Sequence, residues 1–237
     1  MMKARFNLKK ISAACCAALP VMAFAGPPMN VDDAAILDAK HCHIEAWSDQ
    51  YNKASNLWIA PACNLNGSWE LGFALGREMN SGDSDFNHFG FNAKTLLLEQ
   101  ADWAVALGLS ATFTDQIKHD QAVYSLVAPI TFNLLDGGLD LHLNLGIASD
   151  QIADKNYGLW GVGVENHFSD QARGYIELFG NTASDHNEAR GYQLGGAFMV
   201  TDKLQLDISY ANSLINADKY TDYVRFGFVY ETASWLK

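Results

Sequence analysis

Hydrophobic and polar residues alternate along this chain in short blocks of period two. Over residues 139–147, Leu139, Leu141, Leu143, Leu145 and Ile147 alternate with Asp140, His142, Asn144 and Gly146. That period puts one set on each face of an extended strand. The same pattern runs through 69–75, 103–113, 204–210 and 224–230, and no comparable stretch has helical period. It predicts strands near 41–51, 55–64, 68–78, 86–98, 103–114, 122–134, 139–149, 156–167, 173–181, 189–200, 204–213 and 221–232.

The links between these segments alternate in length. Leu65-Asn66-Gly67, Asp136-Gly137-Gly138, Ser169-Asp170-Gln171 and Thr201-Asp202-Lys203 are tight turns. Longer polar links lie between them, at 78–85, 114–121, 149–155, 182–188 and 212–220. A membrane barrel with short periplasmic turns and long outer loops has this rhythm, and lipid offers no hydrogen-bond partner to an open sheet edge. The expected fold is all-β: a closed antiparallel transmembrane β-barrel of about 12 strands, with 10–14 compatible, both termini in the periplasm and outer-membrane lipid around it.

The two faces of the strands differ as lipid and lumen do. Trp69, Trp103, Phe113, Trp160, Phe168, Tyr192, Phe198, Tyr210 and Tyr230 fall mainly on the apolar face, many near strand ends, as interfacial girdles require. A soluble barrel with these residues in its core is the alternative. The opposite face carries Asn92, Asn144 and His167 together with Glu45, Glu70, His88, Lys94, Asp140, His142, Glu165, Asp207, Arg225 and Glu231, which is too polar for a dry core. These last ten are the candidate lumen-lining residues.

The first 25 residues have another character. Basic residues up to Lys10, an apolar stretch from Ile11 to Phe24 and Ala23-Phe24-Ala25 form the three-part layout of a cleaved secretory signal. The expected organisation is a signal peptide at 1–25, a periplasmic N-terminal segment at 26–40 and an outer-membrane barrel at 41–237. Export implies periplasmic chaperones and the barrel-assembly machinery as partners. The last strand is aromatic from Tyr223 to Tyr230, as assembly signals tend to be, but the chain continues to Ser234-Trp235-Leu236-Lys237.

Of 237 residues, 49% are hydrophobic and 18% charged, enough apolar surface for a folded domain. Removal of the signal takes away four basic residues and no acid, moving the formal net charge from −11 to −15. Such acidity argues against nucleic acid as a partner.

Two cysteines remain after the signal, Cys42 and Cys63. With the turn at Asn52 and Lys53, facing residues have numbers summing to 105, so the two cysteines oppose each other at the base of the first hairpin. A disulfide is expected there in an oxidising compartment, with two buried free thiols as the alternative. No metal site and no cofactor are expected. Among His41, Cys42 and His43, only the two histidines share a face.

The opening of the mature chain, Pro27-Pro28-Met29-Asn30-Val31-Asp32-Asp33-Ala34 with Leu37-Asp38 and Cys42-His43-Ile44-Glu45-Ala46-Trp47, resembles that of the transporter barrels grouped as the MetA-pathway of phenol degradation. The likeness is strongest over 27–78. It implies an outer-membrane channel for small, often hydrophobic compounds; passive passage without a catalytic site is the expectation for this barrel. The inward acids outnumber Lys94 and Arg225, which favours cations in a water-filled path.

The same charges could instead pair across the lumen and fill it, making a structural or adhesion barrel with a plugged lumen. Its outer loops carry Asp83, Asp85, Asp115, Asp120, Asp150, Asp154, Asp185 and Asp222 but lack calcium-loop spacing. A third reading, an outer-membrane lipid hydrolase, rests on Glu165, His167 and Ser169, with His and Ser two residues apart. Those residues lie beside a short turn, away from outer-leaflet lipid.

Overall fold

A computed structural model describes residues 29–52, 54–80, 85–114, 122–151, 154–183, 190–214 and 222–232. The signal region, the residues after 232, and Asp83, Asp115, Asp120 and Asp185 lie outside the described residues.

The chain forms β1 (His41–Tyr51), β2 (Ala54–Asn64), β3 (Trp69–Asn80), β4 (Phe86–Glu99), β5 (Trp103–Thr114), β6 (Ala122–Leu134), β7 (Leu139–Asp150), β8 (Lys155–Ser169), β9 (Ala172–Asn181), β10 (Arg190–Thr201), β11 (Leu204–Ser213) and β12 (Asp222–Thr232). Each strand pairs antiparallel with its sequence neighbours, and β1 pairs with β12 to close a twelve-stranded barrel. The alternating pattern therefore yields the expected fold and strand count. Observed strand ends differ from the expected ones by two residues or fewer.

Five short connections, between β2 and β3, β4 and β5, β6 and β7, β8 and β9, and β10 and β11, lie at the end where the chain enters β1 and leaves β12. A 3-10 turn at Leu135–Gly137 makes one of them. There Leu135 and Asp136 join Gly137 at positive φ, so the reversal takes three consecutive residues in the left-handed region. The longer links occupy the opposite end, where only the β1–β2 link, residues 52 and 53, and the four-residue β7–β8 link are as short as those at the first end.

Register fixes which side chains face in. Cys42 pairs with Cys63, and every β1–β2 pair sums to 105, as the turn position predicts. The two cysteines form a disulfide. It lies on the outer face, because His43, Glu45, Trp47 and Asp49 take the inward positions of β1. Outward positions are large and apolar, among them Leu71, Phe73 and Leu75 on β3, Leu145 and Ile147 on β7, and Leu206 and Ile208 on β11, all exposed. Inward positions carry the buried polar groups Asn144, Glu177, Gln193, Asp207 and Arg225. Apolar outside and polar inside is the reverse of a water-soluble barrel and fits a hydrocarbon surround.

The sequence makes residues 26–40 an N-terminal segment ahead of the first strand. Its stretch from Asn30 to Leu37 runs inside the lumen. Lumen-facing side chains supply the partners that its backbone amides would otherwise find in water.

Candidate functional site: the lumen and its inner segment

The inward face of every strand contributes to one polar interior, and the ten sequence-derived lumen candidates all occupy it. Glu45 (β1), Glu70 (β3), His88 and Lys94 (β4), Asp140 and His142 (β7), Glu165 (β8), Asp207 (β11), Arg225 and Glu231 (β12) stand at inward register positions. Asn92, Asn144 and His167 do likewise. As the filled-lumen reading expects, Arg225 and Lys94 each meet an acid, although the acids are not among the ten candidates. Arg225 binds Asp49, which was not a candidate: Nε donates to Oδ1 at 2.5 Å and Nη2 to Oδ2 at 3.0 Å. The guanidinium also sits 5.9 Å from the Trp47 ring centroid and 5.2 Å from that of Tyr223, a cation–π arrangement. Asp207 is buried, and neither of its oxygens accepts a hydrogen bond from the described residues.

Lys94 points to the inner segment. Its Nζ donates to Asp32 Oδ1 at 2.9 Å and to Asp33 Oδ1 at 3.1 Å. Five further wall groups bind the segment's backbone. Glu177 takes the amides of Asn30 and Val31, one on each oxygen, at 2.9 and 2.8 Å. Asn144 accepts from the Asp32 amide at 2.8 Å and donates back to the Asp32 carbonyl at 2.7 Å. Thr131 Oγ1 accepts from Ala34 N, Glu70 Oε2 accepts from Leu37 N, and Asn64 Nδ2 donates to the Leu37 carbonyl. The Asn30 side chain reaches Glu177, Gln193 and Tyr223.

Glycine makes room for this path. A Cβ at Gly161 would come 2.7 Å from Val31 Cγ2, and one at Gly163 would come 3.1 Å from Met29 Cε. Both glycines face inward on β8, so the wall there is bare backbone on which Val31, 1% exposed, is packed.

Between the segment and the wall lies a cavity of about 300 Å³, lined by Asp32, Asp33, Leu37, His43, Glu45, Ala60, Ala62, Glu70, Lys94, Gly108, Ser110 and Ser125 among others. Small inward residues on β2 and β5 leave this space open. Four carboxylates face one ammonium here, and two of them, Asp32 and Asp33, are engaged by Lys94. Nearer the long-loop end, Trp47 stacks on Trp58 at 5.8 Å between centroids and Trp58 on His88 at 5.4 Å. These rings narrow the lumen from the side of β1, β2 and β4.

The hydrolase reading needs Ser169 beside His167, and the strand does not keep them together. A bulge between His167 and Ser169 breaks the register. Ser169 Oγ instead accepts from the amides of Gln171 and Ala172 in the turn, while His167 Nε2 lies 2.8 Å from Asp140 Oδ2.

Sequence reading missed Asp49, Glu177, Gln193 and the residues 30–33 as lumen groups. For the strand residues the signal was present, since each lies at an inward position. For Asn30–Asp33 the only sign was a polar stretch without strand period.

The family model described as Uncharacterised conserved protein UCP029691 matches residues 13–224, and the chain belongs to that family. No curated protein matches the chain. Among solved structures, it is similar to the KdgM porin, with a TM-score of 0.66 at 9% identity over 81% of this chain and 99% of that one. It is similar also to the COG4313 outer membrane channel from Pseudomonas putida F1, with a TM-score of 0.64 at 12% identity over 87% of this chain and 98% of that one. The NanC porin superposes with a TM-score of 0.59 at 10% identity over 81% and 100% of the two chains. The fold is thus that of outer-membrane porin barrels.

Proposed function

We propose that this protein is an outer-membrane channel for passive passage of small solutes, in which the segment at 29–38 lies across the lumen and sets its open area. The observation that carries this reading is the cavity between the inner segment and the β1–β6 wall, bordered by Asp32, Asp33, Glu45 and Glu70 against Lys94. A water-filled path with that excess of carboxylates favours cations. The shared fold with proteins named porins and an outer membrane channel supports the class, and the MetA-pathway resemblance of residues 27–78 adds small hydrophobic compounds to the candidate solutes. The apolar exterior and the signal-like first 25 residues support insertion in the outer membrane after export.

The reversal potential of the folded protein in a planar bilayer under a KCl gradient tests this. Cation preference that weakens in Glu45→Gln and Glu70→Gln is the expected result. Anion preference overturns the acidic-path reading.

A further inference from the structure

At the short-turn mouth of the barrel three ligand-type side chains meet that passage of a solute does not require. Asp140 and Glu165 are direct partners across β7 and β8, and His167 stands two residues beyond Glu165 on the same inward face. The register therefore gathers them on one wall. His167 Nε2 lies 2.8 Å from Asp140 Oδ2 and 3.3 Å from Glu165 Oε1, and one donor atom from each residue falls within 4.8 Å of the others. An ion held at about 2.0–2.2 Å by an imidazole nitrogen and carboxylate oxygens spaces those atoms roughly 3–3.5 Å apart. Two of the three separations are thus already close to what one ion demands. Asp140 Oδ1, moreover, is buried and accepts no hydrogen bond from the described residues, so this carboxylate has coordinating capacity they do not use. The Glu165 side chain is only 6% exposed.

We propose that Asp140, Glu165 and His167 form a binding site for a divalent transition-metal ion such as Zn²⁺. A mixed imidazole and carboxylate set suits such an ion better than Ca²⁺ or Mg²⁺, which prefer oxygen alone. Three ligands on one wall leave the remaining positions to water on the lumen side. Ligation uses the Nε2 lone pair of His167, so the ring hydrogen resides on Nδ1 in the bound form. Arg173, the cross-strand partner of His167, donates from Nη1 to the same Glu165 Oε1 at 3.3 Å and from Nη2 to Gln205 at 2.6 Å. An ion at the site therefore shares that oxygen with the guanidinium or takes the other oxygen of Glu165.

The site stands whether or not the barrel conducts. Its test is titration of the folded, chelator-stripped protein in detergent with ZnCl₂, followed by calorimetry, together with the visible spectrum on adding Co²⁺. One saturable Zn²⁺ per chain is expected, lost in His167→Ala and in Asp140→Asn and kept in Glu45→Gln. CaCl₂ should give no saturable binding. Gel migration of unheated against boiled samples establishes that each variant is folded. Absence of saturable Zn²⁺ binding by the unaltered protein overturns the proposal, as does binding that survives the loss of His167. Should His167→Ala fail to fold, Asp140→Asn and the Co²⁺ spectrum of the unaltered protein decide the matter, a spectrum without nitrogen coordination counting against it.

Discussion

Lys94 and Asp32 stand 62 positions apart in sequence and meet inside the barrel, Nζ to Oδ1 at 2.9 Å. That contact, doubled by Asp33 at 3.1 Å, ties a wall strand to the chain's own N-terminal segment. Charge-assisted hydrogen bonds of this sort contribute roughly 1.5–3 kcal/mol each where water is largely excluded, and less in a wet lumen. Lys94→Met should therefore loosen the segment, with the amides of residues 31–37 exchanging faster by hydrogen–deuterium exchange while the strand amides keep their protection. Loss of the one ammonium in the cavity should at the same time strengthen cation preference in the reversal-potential measurement.

Gly161 and Val31 form a steric pair. Gly161→Ala puts a methyl 2.7 Å from Val31 Cγ2, and overpacking of that kind costs about 1–3 kcal/mol. The expected outcome is displacement of the segment, read as faster exchange of the Val31 amide that Glu177 now holds. Val31→Ala on the same background removes the clashing methyl and should restore protection. Equal exchange in all three proteins would show that the segment does not rest on β8.

Asp49 and Arg225 are buried together on neighbouring strands across the β1–β12 closure. Removing one partner leaves a buried charge without compensation, at a cost of about 3–5 kcal/mol. Arg225→Met should lower the temperature at which the barrel loses its unheated gel migration, and Asp49→Asn combined with it should recover most of the loss. If the double variant is no better than the single, the pair is not the unit that matters.

The disulfide predicts a milder effect. Cys42 and Cys63 are 21 residues apart, and closing a loop of that size stabilises by about 2–4 kcal/mol. The β1–β2 ladder and the closure with β12 persist without it. Cys42→Ala/Cys63→Ala should thus fold to a barrel with unchanged strand content by circular dichroism and a lower thermal midpoint. Failure to form a barrel would give the bond a larger part in assembly than the register implies.

Strands, closure and the facing of side chains were legible in the sequence because period two and turn spacing are local signals, and a barrel repeats them twelve times. Leu139 to Ile147 alone tells which face meets lipid. The Cys42–Cys63 pairing followed from the position of one turn. The inner segment was not legible, since Asn30 to Asp32 satisfy their backbone through Glu177 and Asn144, residues more than 100 positions away. No local pattern encodes such partners. The partner of Arg225 was missed for the same reason: Asp49 and Arg225 lie 176 positions apart, and their meeting depends on closure between the first and last strands.

The central claim is a cation-preferring path whose width is set by residues 29–38. Single-channel conductance in a planar bilayer, compared between the full protein and one lacking those residues, tests it most directly. The account predicts small cation-selective steps from the full protein and severalfold larger ones after removal, selectivity being kept because Glu45 and Glu70 remain. No conductance from either folded protein, or the same conductance from both, would contradict it.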